Sequence, residues 1–248
     1  MKTTSPHTLP ARLHLARRAA AEFVGTGLLV TVVVGSGIAA QQLSAGDVGL
    51  QLLENSIATM LGLAVLILML GPVSGAHFNP VVSIADWLIG RRGHGLPGRD
   101  VAPYLLAQIG GGIAGTLLAG VMFDTAPNLS TTARGTGGHL VGEVVATAGL
   151  VLLIFTLART STGVVTAAAV GAYIGAAYWF TSSTSFANPA VTIARMFTDT
   201  FAGIAPASVA PFILAQLLGG ALGLGLLLVF YPTAAHTERD VVIPVEDH

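Results

Sequence analysis

SSTSFANPAVTIAR, residues 182–195, carries the pair Asn188-Pro189 at its centre. Asn is a preferred helix N-cap, and Pro suits the first helical position, where its missing N–H is not needed. The pair reads as the start of a helix continuing over residues 190–197. At 1.5 Å per residue such a helix reaches about 15 Å, roughly half of a hydrocarbon core of about 30 Å. A second stretch, SGAHFNPVVSIAD at residues 74–86, repeats it. Aligned on Asn-Pro, the two share Asn79/Asn188, Pro80/Pro189, Val82/Val191, Ser83/Thr192, Ile84/Ile193 and Ala85/Ala194. One Asn-Pro is a common turn signal. Two, with matched flanks, mark a duplicated element.

The surrounding chain is apolar. Of 248 residues 53% are hydrophobic and 9% charged, with a mean hydropathy of +0.76; a soluble domain carries about 25% charged residues. The composition is that of an integral membrane protein. A net charge of −1 gives nucleic acid no basic face to bind. With no cysteine, disulfides, thiolate chemistry and cysteine metal sites are excluded. No nucleophile–base constellation or metal cluster points to an enzyme, and no cofactor is expected.

Six segments are long enough to span a membrane: 18–40, 50–70, 101–123, 140–158, 163–181 and 208–231. The basic N-terminal stretch could imitate a secretion signal, but Glu22 interrupts the apolar run behind it. It is read as a retained first span. The short helices 79–90 and 188–198 follow the second and fifth spans. Glu22-Phe23-Val24-Gly25-Thr26 is echoed by Glu143-Val144-Val145-Ala146-Thr147, and the Gln108 span by the Gln216 span. The fold class is therefore all-α, with six transmembrane helices and two re-entrant half-helices. Three spans per unit is an odd number, so the units cross in opposite senses, as an inverted 3+3 repeat. The predicted organisation is an N-terminal segment 1–17, a channel domain 18–231 (repeats 18–123 and 140–231) and a tail 232–248.

Lys2, Arg12, Arg17, Arg18, Arg91, Arg92, Arg99, Arg159 and Arg239 fall on one side of this topology, and only Arg134 and Arg195 on the other. The positive-inside rule then places both termini in the cytoplasm. Glycines at 111/115, 171/175 and 219/223 have the spacing that lets helices approach closely in lipid.

Half-helices entering from opposite faces meet N-terminus to N-terminus near the midplane, and their lead-in loops must line a polar cavity or be buried in protein. Each N-terminus carries about half a positive charge. A cation about 5 Å from both meets ~3 kcal/mol of repulsion at an effective dielectric near 20, besides several kcal/mol for lost water. Neutral polar solutes pass; cations do not. Asn79 and Asn188 can cap their helices with the amide oxygen and donate N–H into the lumen, which also interrupts proton hopping. Glu22 and Glu143 are the acids clearly inside full spans, away from their ends, and membrane carboxylates mark function by default. Their symmetric placement favours bracing of the half-helix loops, with a proton relay as the alternative.

These residues resemble the aquaporin superfamily, the major intrinsic proteins, over essentially residues 17–231. The resemblance implies a right-handed bundle, one pore per subunit and a homotetramer in a cell membrane. Its Asn-Pro-Ala motifs fall on Asn79-Pro80-Val81 and Asn188-Pro189-Ala190, with Val81 departing from the usual Ala. Most of the family places an Arg directly after the second motif; here that position is Val191. Carried over by spacing, the selectivity filter becomes Thr59, Ala176, Ser185 and Val191, small and uncharged. Such a filter is similar to that of bacterial aquaglyceroporins linked to arsenic resistance. It implies water, glycerol and arsenous acid, As(OH)₃, as solutes. Arg195, four residues beyond Val191, either sits in the vestibule or reaches back to replace the missing charge. His77 is expected to line the inner half of the pore, with Asp86 at its inner mouth. A glycerol/water facilitator without an arsenic role and, in a different class, an ion-coupled secondary transporter are the alternatives. A purely structural membrane protein would need a blocked pore.

Overall fold

The computed structural model describes residues 13–90 and 95–232; the expected tail from 233, the Arg91-Arg92 pair and most of the N-terminal segment lie outside them. The described residues form eight helices. They are α1 (Leu15–Leu43), α2 (Val48–Ser74), α3 (Pro80–Ile89), α4 (Gly98–Met122), α5 (Gly137–Thr160), α6 (Gly163–Phe180), α7 (Pro189–Arg195) and α8 (Pro206–Phe230). Six are long and apolar enough to cross a membrane, from 18 to 29 residues, or roughly 27–44 Å at 1.5 Å per residue. The two half-helices are shorter than expected, with 10 and 7 residues. In α7 the last turn ends at Arg195, and Met196 caps it.

The packing has the symmetry of the repeat. α1 packs on α2 and α4 as α5 packs on α6 and α8, and α2 meets α6 at the seam between the halves. α7 packs mainly on α4, while α3 lies against both α4 and α8, so each half-helix touches a span of the opposite repeat. Backbones approach closely where the glycine spacing predicts it. A Cβ on Gly115 would collide with the Gly27 carbonyl of α1, and one on Gly223 with the Ala148 carbonyl of α5. Without a hydrophobic drive in lipid, such close contact is what holds spans together.

The buried core runs through the bundle and takes in Val81, Val82 and Ala85 of α3 with Val191 and Ala194 of α7. Leu106, Val121, Leu218 and Val229 point outward. That is the inverse of a soluble protein, and fits a lipid surround. The half-helices are thus held by protein at the centre of the bundle.

Candidate functional site: the junction of the half-helices

Asn79 and Asn188 stand at the N-caps of α3 and α7 in extended conformation, each followed by Pro at the first helical position. Asn79 Oδ1 accepts from the Val81 N–H at 3.0 Å, and Asn188 Oδ1 from the Ala190 N–H at 2.9 Å. The amide nitrogens cross over. Asn79 Nδ2 donates to the Ala187 carbonyl and Asn188 Nδ2 to the Phe78 carbonyl, both at 2.7 Å. Each NH₂ therefore commits one hydrogen to the opposite repeat and keeps one for the lumen, which both side chains line. The amide nitrogens, expected to donate into the lumen, each give one hydrogen to a loop carbonyl of the other repeat.

The loops into the half-helices are strained in register. Ala76 and Phe78 have φ of 48°, and their counterparts Ser185 and Ala187 have φ of 50° and 48°. Non-glycine residues in this region cost roughly 1–2 kcal/mol each. The carboxylates hold them. Glu22 accepts from the His77 and Phe78 N–H groups at 3.0 and 2.7 Å, from Ser74 Oγ at 2.6 Å and from Gln108 Nε2 at 2.8 Å. Glu143 accepts from Phe186 and Ala187 N–H at 2.9 and 2.8 Å, and from Gln216 Nε2 at 2.6 Å. The glutamines also reach Ser83 and Thr192, one turn into each half-helix. Each of these partners of the two acids is a donor on a loop or a neighbouring span. Among the described residues these bonds run to the loops and half-helices, and no chain of proton carriers leads away from them.

A cavity of about 60 Å³ opens beside the junction. That exceeds the roughly 10–15 Å³ that a single enclosed water needs. Of the four positions predicted for the filter, Thr59, Ser185 and Val191 line it. Ala176 does not: it is exposed on the far face of α6, and Ile174 and Tyr178 face the cavity instead. The error has a physical source. Counting back from Asn188 crosses residues 181–187, which are not helical. A slip of two residues turns a helix face by about 200°. Tyr178 OH lies 3.1 Å from Thr59 Oγ1, tying α6 to α2 at the lumen. Ser185 Oγ is buried without a protein partner.

Phe186 also lines the cavity, a residue that sequence reasoning passed over. The Arg195 guanidinium lies 3.5 Å from its ring centroid and that of Arg134 lies 5.2 Å away. Arg195 is buried, donates through Nε to the Ala202 carbonyl, and lines the same cavity. The wall of the cavity is therefore not free of charge. Arg134, placed by sequence only as a loop charge, donates to the Gly203 and Phe201 carbonyls at 2.8 and 3.2 Å. At the other end His77 lines the cavity, with Nδ1 3.0 Å from Ser83 Oγ and Nε2 3.6 Å from Asp86. Asp86 also accepts from the Leu96 N–H at 2.8 Å, joining α3 to the residues just before α4.

The extra methyl groups of Val81 are accommodated by a glycine. Val81 is buried, and a Cβ on Gly220 of α8 would overlap its Cγ1. Gly220→Ala is accordingly expected to destabilise the protein by about 1–3 kcal/mol. Val81→Ala in the same chain should restore most of the loss, read as the unfolding midpoint in detergent. Equal midpoints for the single and double variants would mean that the two residues do not compete for one space.

The family model described as "Major intrinsic protein" matches residues 11–187. The chain is similar to Aquaglyceroporin AqpS of Rhizobium meliloti, 51% identical over 86% of this chain and 89% of that protein. It is also similar to Probable aquaporin AqpM of Archaeoglobus fulgidus, 32% identical over 77% of this chain and 86% of the other. Among solved structures, the aquaglyceroporin from Plasmodium falciparum superposes with a TM-score of 0.62 at 20% identity. The superposition covers 90% of this chain and all of that one.

Proposed function

The chain belongs to the major intrinsic protein family, and from that premise we propose that it conducts glycerol-like polyols and arsenous acid with some water. As a member of that family it is a multi-pass membrane channel for water and small solutes, and not an enzyme. The observation that carries the solute assignment is Val191 at the cavity wall beside Ser185, whose hydroxyl has no protein partner. Val leaves open the space that a long cationic side chain would cross.

The cavity offers a permeant two kinds of wall. Val191, Ile174 and the Phe186 ring are apolar, while Thr59, Tyr178, Ser185 and the asparagine amides supply hydrogen bonds. A polyol, or As(OH)₃, has hydroxyls to exchange for water at the polar wall and a compact body for the other. The Asn79 and Asn188 oxygens are used as caps, so only donors remain for a permeating oxygen. An oxygen accepting from them cannot continue a donor chain, and proton hopping stops there. Cations meet the two helix N-termini without compensating carboxylates, since Glu22 and Glu143 are engaged with the loops.

The loop charges support a cell-membrane location with both termini cytoplasmic, and the resemblance supports a homotetramer. Stopped-flow light scattering on proteoliposomes tests the reading with water, glycerol and arsenous acid. Fast, non-saturating flux of both solutes is expected. Fast glycerol with slow arsenous acid leaves a general facilitator. Water flux alone makes the pore narrower than proposed. Saturable uptake abolished by a protonophore would replace the channel by an ion-coupled transporter.

A further inference from the structure

Arg195 lies one helical turn beyond Val191 on α7, so the two share a face of the helix. Its side chain is 2% exposed and lines the cavity with Val191 and Ser185. Nε is taken by the Ala202 carbonyl, and the central carbon of the guanidinium lies 3.5 Å from the Phe186 ring centroid. Among the described residues, the terminal nitrogens have no hydrogen-bond partner in the protein, and no carboxylate is in ion-pair range of Arg195 or Arg134. A buried cation without a counter-charge in a membrane protein is costly, and such residues face water-filled paths. Arg134 differs in that its nitrogens are occupied by the carbonyls of Phe201 and Gly203, in the same segment as Ala202. It steadies that segment and adds charge of the same sign behind the Phe186 ring.

We infer that Arg195 is a specificity-determining residue of this channel: the last turn of α7 delivers into the lumen the positive charge that is missing at Val191, where it rejects cations and donates N–H to the oxygens of neutral solutes. The inference rests on the channel reading above. Moving the charge by one turn, about 5.4 Å along the axis, separates two tasks. Steric selection stays with Val191, Ser185 and the Thr59–Tyr178 pair, and charge selection moves to Arg195, held against the Phe186 ring. A guanidinium anchored at the wall by Ala202 and the Phe186 ring takes less of the lumen than one standing across it, so charge exclusion and a wide passage coexist.

Urea and guanidinium are planar and of nearly equal size, and they differ by one charge. Their permeability ratio, measured with labelled solutes in proteoliposomes of the full chain, reads charge selection apart from pore width. Arg195→Gln is expected to lower the urea-to-guanidinium ratio at least about tenfold, and Arg195→Lys, which keeps the charge, to hold it within about threefold. In the double variant Val191→Arg/Arg195→Gln the ratio should return, because the charge is restored one turn earlier. An unchanged ratio in Arg195→Gln vesicles that still pass urea would overturn the inference. So would failure of both the Gln and Lys variants to fold, which would make Arg195 a packing residue. A wild type passing neither urea nor glycerol would instead remove the channel reading itself.

Discussion

In proteoliposomes Val191→Arg is expected to cut glycerol and arsenous acid flux at least about tenfold, with water flux falling less. A tenfold change needs only ~1.4 kcal/mol of added barrier, and two effects supply it. The cavity is about 60 Å³, and Arg puts a long side chain where Val puts two methyl groups. The new guanidinium also lies one turn from Arg195. Two such charges about 6 Å apart repel by ~3 kcal/mol at an effective dielectric near 20, which drives the added side chain away from Arg195 and across the lumen. Water, smaller than either solute, tolerates the narrowing best, so the glycerol-to-water ratio is the sensitive readout. A folded variant with wild-type glycerol flux would take Val191 out of the constriction.

Glu143→Ala is expected to abolish accumulation of the folded protein. The substitution strands the N–H groups of Phe186 and Ala187 and the Gln216 amide in the protein interior. Each orphaned buried donor costs ~1–3 kcal/mol, so three cost about 3–9 kcal/mol, against a total stability of about 5–15 kcal/mol. The strained φ at Ser185 and Ala187 then loses the contact that holds it. Glu143→Gln should fall between, since one oxygen remains as an acceptor while the new NH₂ group confronts donors. The recovered monodisperse fraction after detergent extraction, compared at equal expression, checks both. A well-folded Glu143→Ala protein whose flux alone has changed would favour the proton-relay role over bracing.

The half-helices were legible because Asn and Pro at a repeated place in an apolar chain have few explanations. The bracing acids were legible for a similar reason: a carboxylate is expensive in a membrane, and its twin stands at the matching place in the other repeat. The pairing of Gln108 with Glu22 and Gln216 with Glu143 is the side-chain form of an echo visible in the sequence. The wall of α6 was not legible. Helical counting fails across residues 181–187, whose left-handed Thr184, Ser185 and Ala187 follow no fixed period. The exposed Ala176 therefore took the place that Tyr178 fills. Arg134 and Phe186 were missed because their partners are backbone carbonyls and a ring face, which leave no spacing in the sequence to read.

The crossed amide bonds at the junction also set a timetable for biosynthesis. Asn79 and the Phe78 carbonyl find their partners 108 and 110 residues further along the chain. At about 5–20 residues per second, the ribosome needs roughly 5–20 s to make that stretch. For that interval the first half-helix has left the ribosome with its hook and its eye both unmatched. It must wait in the insertion machinery or at the membrane surface until residue 188 arrives. Final seating of the first half is therefore a late event, set by completion of the second.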